Sequence, residues 1–176
     1  MTQGNISSSN RIREKKKVFL AREEKIVRAA LELLIGENID RVTVSKIASK
    51  AGIGKGTVYK HFLTKNEILV RIMLDYERRI ARRLSEALKE AESGDPGAVS
   101  KAYFDSRLER PELDRLVQKL EDRLVDADDI KPQLAEFSRI RRSHEDALGS
   151  MITKLIGEGI LEDVPPHYHY LSCWAL

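Results

Sequence analysis

One cysteine, Cys173, is all that the 176 residues contain, so no internal disulfide can form and nothing calls for an oxidising compartment. Cytoplasm is the expected location. Long apolar runs are missing as well. Residues 18–20 follow the basic run of residues 11–17 but are too few for the apolar region of a secretory signal, and no stretch approaches the roughly 20 apolar residues of a membrane-spanning helix. There is no Gly-x4-Gly-Lys-Ser/Thr phosphate loop, and no pair of carboxylates stands apart from the helix surfaces around it, so the chain does not read as an enzyme. His167 and His169 read as a loop or helix start rather than as metal ligands. Asp126, Asp128 and Asp129 lack the glycine turn and terminal glutamate of a calcium loop and read as an exposed connection. No metal and no cofactor are expected. The most local absence is of negative charge: residues 41–66 hold no Asp or Glu, in a chain of which 34% is charged.

The net charge of +3 conceals an asymmetry. Residues 1–75 carry 15 Lys/Arg against 8 Asp/Glu, a balance of +7, while residues 76–176 carry 16 against 20, a balance of −4. A basic N-terminal module on a slightly acidic body points to a polyanion as the module's partner. The length fits one or two small domains, and 41% hydrophobic residues suffice for a core.

Helical periodicity organises the chain, and no strand pattern, repeat or low-complexity block competes with it. Residues 1–18 read as a disordered arm whose cations Arg11, Arg13, Lys15, Lys16 and Lys17 either touch phosphate or are simply solvated. Ile26, Val27, Ala30, Leu33 and Leu34 predict a first helix over 21–35, capped by Gly36. Thr43 is suited to cap a second, carrying Val44, Ile47 and Ala48 to about Lys50. Gly52 supplies the left-handed turn, and a third helix runs from about Lys55 to Phe62. Thr64 and Glu67 form a capping box, with Leu63 and Ile68 as a hydrophobic staple, for a long fourth helix along Ile72, Tyr76, Ile80, Leu84 and Leu88. Three more helices are predicted over 98–108, 111–125 and 132–157, and a last one starts after Pro165 and Pro166. The fold class is all-α.

Ala48, Gly52 and Val58 meet the needs of a helix-turn-helix: a small residue where the helices touch, a glycine in the turn, and an apolar lock on the second helix. Burying Val58 and Phe62 leaves Lys55, Thr57, Tyr59 and Lys60 on the outer surface. A carboxylate there would repel phosphate, whereas each lysine that neutralises one releases counterions. The acid-free window therefore fits double-stranded DNA. Gly56 removes a side chain at the closest approach, Lys55, Thr57 and Lys60 are candidates for base edges, and Lys46 is counted with the DNA-binding set. Lys65 stands at a helix N-terminus, which favours phosphate.

The runs Thr43-Val44-Ser45-Lys46-Ile47-Ala48 and Ala51-Gly52-Ile53-Gly54-Lys55-Gly56-Thr57-Val58-Tyr59-Lys60-His61-Phe62, followed by Lys65 and Glu67, resemble the TetR-type transcriptional regulators over residues 21–72. The resemblance implies a three-helix DNA-binding module on a larger all-α body that binds a ligand and dimerises. It also implies that Thr43, Tyr59, His61 and Lys65 grip the DNA backbone. From the residues alone, a core role for His61 and packing of Tyr59 on the first helix are the lesser alternatives.

The expected domains are the arm (1–18), the helix-turn-helix domain (19–65) and the ligand-binding and dimerisation domain (66–176). Met73, Tyr76, Tyr103, Phe104, Leu108, Leu120, Leu124, Phe137, Ile140 and Leu148 are candidate pocket residues, with plain core as the alternative. Tyr168, Leu171 and Trp174 are candidate dimer contacts on what reads as the start of a helix, and the pair of C-terminal helices usual in the family is incomplete in this sequence. The expected function is a homodimeric repressor that binds a palindromic operator and is released by a small-molecule effector. The alternative is a ligand-independent DNA-binding or protein-interaction protein built on the same helix-turn-helix.

Overall fold

Seven α-helices and two short 3-10 turns make up the regular structure among the described residues of the computed structural model, which are 4–95 and 97–165. They form two compact units, Met1–Ile72 and Met73–Leu176, with the division falling inside the fourth helix.

In the first unit, α1 spans Gly4–Gly36, α2 Val44–Lys50 and α3 Lys55–Val58. Where a disordered arm was expected, the chain is helical from Gly4 onward. No glycine or proline interrupts residues 5–35, the Arg, Glu and Lys of residues 11–17 are good helix formers, and the segment around the buried Ile26, Ala29, Ala30 and Leu34 supplies a packed turn from which helix can propagate. Helix α2 starts at its predicted cap, with Thr43 Oγ1 accepting a hydrogen bond from the Lys46 N–H at 3.2 Å. It ends in a Schellman motif: the Ile53 N–H donates to the Ala48 carbonyl and the Gly52 N–H to the Ser49 carbonyl, both at 3.0 Å. Gly52 takes φ +62°, the left-handed conformation that this motif demands.

Helix α3 is shorter than its predicted extent. After Val58 the backbone tightens, with Lys60 N–H donating to the Thr57 carbonyl at 3.2 Å and His61 N–H to the Val58 carbonyl at 2.9 Å. This tightening turns the chain toward the cap of α4 within a few residues.

Helix α4, Lys65–Glu92, opens on the predicted cap. Thr64 Oγ1 accepts from the Glu67 N–H at 3.2 Å, as predicted, and the Glu67 carboxylate accepts from the Leu63 N–H at 2.5 Å. Leu63 is 75% exposed and Ile68 fully buried, so Leu63 contributes little apolar burial at this helix start.

In the second unit, α5 occupies Ala98–Leu108 as predicted, α6 Pro111–Leu124 and α7 Lys131–Gly157. Pro111 and Pro132 lie in first turns, where the missing N–H costs little. The core is built from residues spaced three and four apart: Ile80, Leu84 and Ala87 on α4, Leu113, Leu116, Val117, Leu120 and Leu124 on α6, and Phe137, Leu148, Met151 and Leu155 on α7. Asp126, Asp128 and Asp129 lie in the α6–α7 connection, and all three are exposed. Lys131 pairs with Asp128 there at 2.7 Å. Among the described residues no helix is long and apolar enough to cross a membrane.

Candidate nucleic-acid interface

The first unit buries one face of each short helix and exposes the other. Val42, Val44, Ile47, Ala48, Ala51, Val58 and Phe62 are all buried; α1 packs on α2, and α2 on α3. Opposite this core, Lys55, Gly56, Tyr59 and Lys60 are exposed and Thr57 is half-buried. The Lys55 ammonium lies 5.9 Å from the centre of the Tyr59 ring, so the two form one cationic and aromatic surface. A Cβ added at Gly56 would meet nothing within 4 Å, so no part of the fold itself demands a glycine there.

The remaining expected contacts are arranged differently. Thr43 is exposed, but its hydroxyl is engaged as the cap of α2. Lys46 pairs with Glu37 at 2.6 Å, and Lys50 with Glu32 at 3.1 Å. Lys65 is half-buried and donates through Nζ to the Ile39 carbonyl at 2.5 Å, tying the start of α4 to the 3-10 turn Ile39–Arg41.

His61 is corrected. Its side chain is only 3% exposed, its ring lies 4.0 Å from that of Phe19 on α1, and its Nδ1 is 3.7 Å from Glu23 Oε1. Glu23 also faces Arg71 at 3.5 Å. His61 is thus turned into the module and cannot grip a DNA backbone from that position; the core reading describes it. Its partners were missed because residues up to 18 read as an arm and Phe19 fell outside the predicted first helix, although Phe19 and Glu23 stand one helical turn apart. The two α2 ion pairs were missed too. Their signal was Glu32 and Glu37, carboxylates that stand shortly before the acid-free window.

The second unit contains a buried polar network that periodicity alone did not disclose. Glu77, 2% exposed, accepts from Arg141 Nη2 at 3.1 Å and has His144 Nε2 3.3 Å away. Arg141 also binds Glu121. Burial raises the Glu77 carboxyl above its ordinary value, opposed by Arg141. Burial, followed by the cations Arg141 and Arg107, pushes His144 down to about 4. A second cluster has Tyr76 O–H donating to Asp114, which also accepts from Arg107 Nη1 at 2.6 Å, while Arg107 Nε donates to the Tyr103 hydroxyl at 2.8 Å. Burial, and then Asp114, raise the Tyr76 phenol. The sequence did hold one sign of this network. Met73, Glu77, Ile80, Leu84 and Ala87 share one periodic stripe, with a carboxylate at a core position.

Of the expected pocket residues, Met73, Leu120, Leu124, Phe137 and Leu148 are buried in the second unit, Phe104 and Ile140 are half-buried, and Tyr76 and Tyr103 are held through their hydroxyls. Leu108 is corrected: at 72% exposure it lines no interior. A surface hollow of about 210 Å³ between α4 and α5 is walled by charged side chains, among them Arg83, Glu86, Glu90, Lys101 and Asp105, and by none of the expected residues. Tyr168, Leu171 and Trp174, together with His167, His169 and Cys173, lie outside the described residues. Among the described residues, no three His, Cys, Asp or Glu side chains are grouped to hold a metal.

Residues 26–72 match the model of the bacterial regulatory proteins, tetR family. The fatty acid metabolism regulator protein of Bacillus subtilis is 34% identical over 65 residues, covering 37% of this chain and 34% of that protein. The HTH-type transcriptional regulator SrpR of Pseudomonas putida is 38% identical over 50 residues, covering 28% of this chain and 24% of its own length. The chain thus spans about a third or less of these curated relatives. The crystal structure of the TetR family transcriptional regulator PfmR from Thermus thermophilus superposes with a TM-score of 0.67 at 20% identity, over 80% of this chain and 75% of that one. At that identity the likeness speaks for the fold.

Proposed function

We propose, from the premise that this chain belongs to the TetR family of bacterial regulatory proteins, that it binds double-stranded DNA sequence-specifically and regulates transcription as a repressor. The reading rests on one observation: a helix-turn-helix locked by Gly52 at φ +62° exposes Lys55, Gly56, Tyr59 and Lys60 in a window, residues 41–66, that contains no carboxylate. Lys55, Thr57 and Lys60 reach base edges, with Gly56 admitting the groove closely. Thr43, Tyr59 and Lys65, with Lys46 after exchange from Glu37, hold phosphates. One four-residue α3 buries little DNA, so the active species is a twofold dimer that reads two half-sites about a helical turn or a multiple of it apart.

A small molecule bound by the second unit favours a state in which the half-site spacing no longer matches, and its effect equals its differential affinity for the two states. Helix α4 is the proposed link, because the chain runs through it without interruption from Lys65 to Glu92. The test is selection of bound sequences from random duplex DNA with the purified chain. A palindrome with salt-dependent affinity is the expected product. Recovery of no preferred sequence, with only weak retention at low salt, would leave a protein-interaction module as the better reading.

A further inference from the structure

From α1 we infer a second DNA-contacting surface: the helical segment carrying Arg11, Arg13, Lys15, Lys16 and Lys17 binds the phosphates that flank the sequence read by α3. The inference rests on the DNA-binding reading above and extends its footprint. Residues 10–20 are exposed throughout, and Glu14 is the sole carboxylate in residues 1–22. The segment is part of α1 and continues directly into the turn that packs on the helix-turn-helix.

Its position relative to the recognition surface follows from a contact. The Phe19 ring packs against that of His61, centres 4.0 Å apart and planes tilted by 36°, and His61 comes immediately after Tyr59 and Lys60 in the chain. At a rise of about 1.5 Å per residue, Lys15, Lys16 and Lys17 stand about 3–6 Å along the α1 axis from Phe19, and Arg11 about 12 Å. At about 100° per residue, Lys15 and Lys16 lie some 40° and 60° to either side of the Phe19 direction, and Arg11, Arg13 and Lys17 extend the charge around most of the helix. A helix beside or within a groove meets phosphates on both flanks, so cations distributed around it fit a duplex. A helix lying on an anionic membrane needs its cations on one face and a continuous apolar stripe on the other. Here Ile12 lies within about 20° of the Phe19 direction, which is taken up by His61, while Val18 and Leu20 stand about 100° to either side of it, so the exposed apolar residues are spread between the cations rather than gathered on a free face opposite them.

The test uses the full chain and the sequence recovered by selection, with affinity measured by fluorescence anisotropy across a range of salt concentrations. Replacing Arg11, Arg13, Lys15, Lys16 and Lys17 together by Gln is expected to reduce the slope of log affinity against log salt by roughly 2–4, about 0.9 for each phosphate no longer neutralised. The rank order of preferred sequences should stay the same. Replacing the three lysines by Arg should preserve the slope, and a melting curve equal to that of the unaltered chain shows that the Gln variant folds. A slope change below about half a unit, or a changed sequence preference at constant slope, overturns the inference. So does a variant that keeps its DNA slope but loses sedimentation with vesicles of three parts phosphatidylcholine to one part phosphatidylglycerol, since the partner would then be a membrane. If the unaltered chain prefers no duplex at any salt, the DNA-binding reading itself has failed. If it binds and the Gln variant matches it, only this inference has.

Discussion

Replacing Arg141 by Met removes the cation that faces Glu77 while keeping an apolar stem over Phe137, whose ring lies 4.5 Å from the guanidinium. Glu77 is 2% exposed, and its remaining neighbour within ion-pair distance is His144, held neutral near pH 7 by burial and by Arg141 and Arg107. An uncompensated buried carboxylate costs about 3–5 kcal/mol, but the group can escape by taking up a proton. That escape sets a ceiling. From the ordinary carboxylate value of 4.5, holding Glu77 protonated at pH 7 costs about 3.4 kcal/mol at most, and less because burial already raises the group in the unaltered chain. The partly exposed Glu121 adds little, about 0–1 kcal/mol for its lost pair.

The expected loss is therefore about 2–3 kcal/mol at pH 7, or roughly 5–10 °C in melting temperature at about 2–4 °C per kcal/mol. Its pH dependence follows from the sign of the shift. Glu77 in the variant has a folded-state pKa above its unfolded value, so the folded chain binds the proton more readily and gains on the unfolded one as pH falls. Removing Arg141 also relieves the depression of His144, which acts in the same direction. The deficit should shrink by up to about 1.4 kcal/mol per pH unit and be small by pH 5. The assay is urea denaturation followed by circular dichroism at pH 7, 6 and 5. Adding Glu77→Gln should recover most of the loss at pH 7. A pH-independent deficit, or no recovery in the double variant, would refute the assignment of Arg141 as the charge that offsets the burial of Glu77.

Gly52→Ala should destabilise by about 1–2 kcal/mol through the left-handed backbone alone, because the nearest atom to its new Cβ, Lys25 Nζ, is at 3.9 Å and leaves room. Gly56→Ala should do the opposite: with nothing within 4 Å of the Cβ, the fold keeps or gains stability by up to about 1 kcal/mol while DNA affinity falls tenfold or more, which separates a turn glycine from an approach glycine in paired melting and binding curves. Lys65→Ala should lower stability by about 1 kcal/mol by leaving the Ile39 carbonyl without that bond, and lower the salt slope of DNA binding by about 0.9. Thr43→Ala should cost about 0.5–2 kcal/mol as a lost cap, with Thr43→Ser restoring it in thermal melts.

The helix-turn-helix was readable because each of its requirements is local. The capping hydroxyl, the left-handed glycine and the apolar lock all fall between Thr43 and Val58, and each constrains the residue type that can stand there. What local rules could not supply was the partner of each side chain. The orientation of His61 depends on Phe19 and Glu23, about 40 residues earlier, and Lys65 binds a backbone carbonyl that no side-chain pattern reports. In the second unit, periodicity identified the buried stripes correctly but not the pairing of Glu77 with Arg141, 64 positions away. Apolar spacing says which face is buried; it does not say whether the face meets packed neighbours, a charge or a ligand. Leu108, periodic yet exposed, marks that limit.

The geometry also divides the lysines of the acid-free window by role. Lys46 and Lys50 on α2 meet Glu37 and Glu32, carboxylates from outside the window, and Lys65 is bound to a carbonyl. Lys55 instead leans on the exposed Tyr59 ring. Exposed ion pairs of the α2 kind contribute only about 0–1 kcal/mol, so a phosphate can displace the carboxylate at little cost in stability. Lys46 and Lys50 are therefore oriented in the free protein yet remain exchangeable, whereas Lys55 at the start of α3 pairs with no carboxylate among the described residues. On the proposed DNA-binding reading, phosphate contact along α2 would exchange one anion for another, and discrimination between sequences would rest on α3, where among the described residues Lys55 has no carboxylate to give up before a base edge is read.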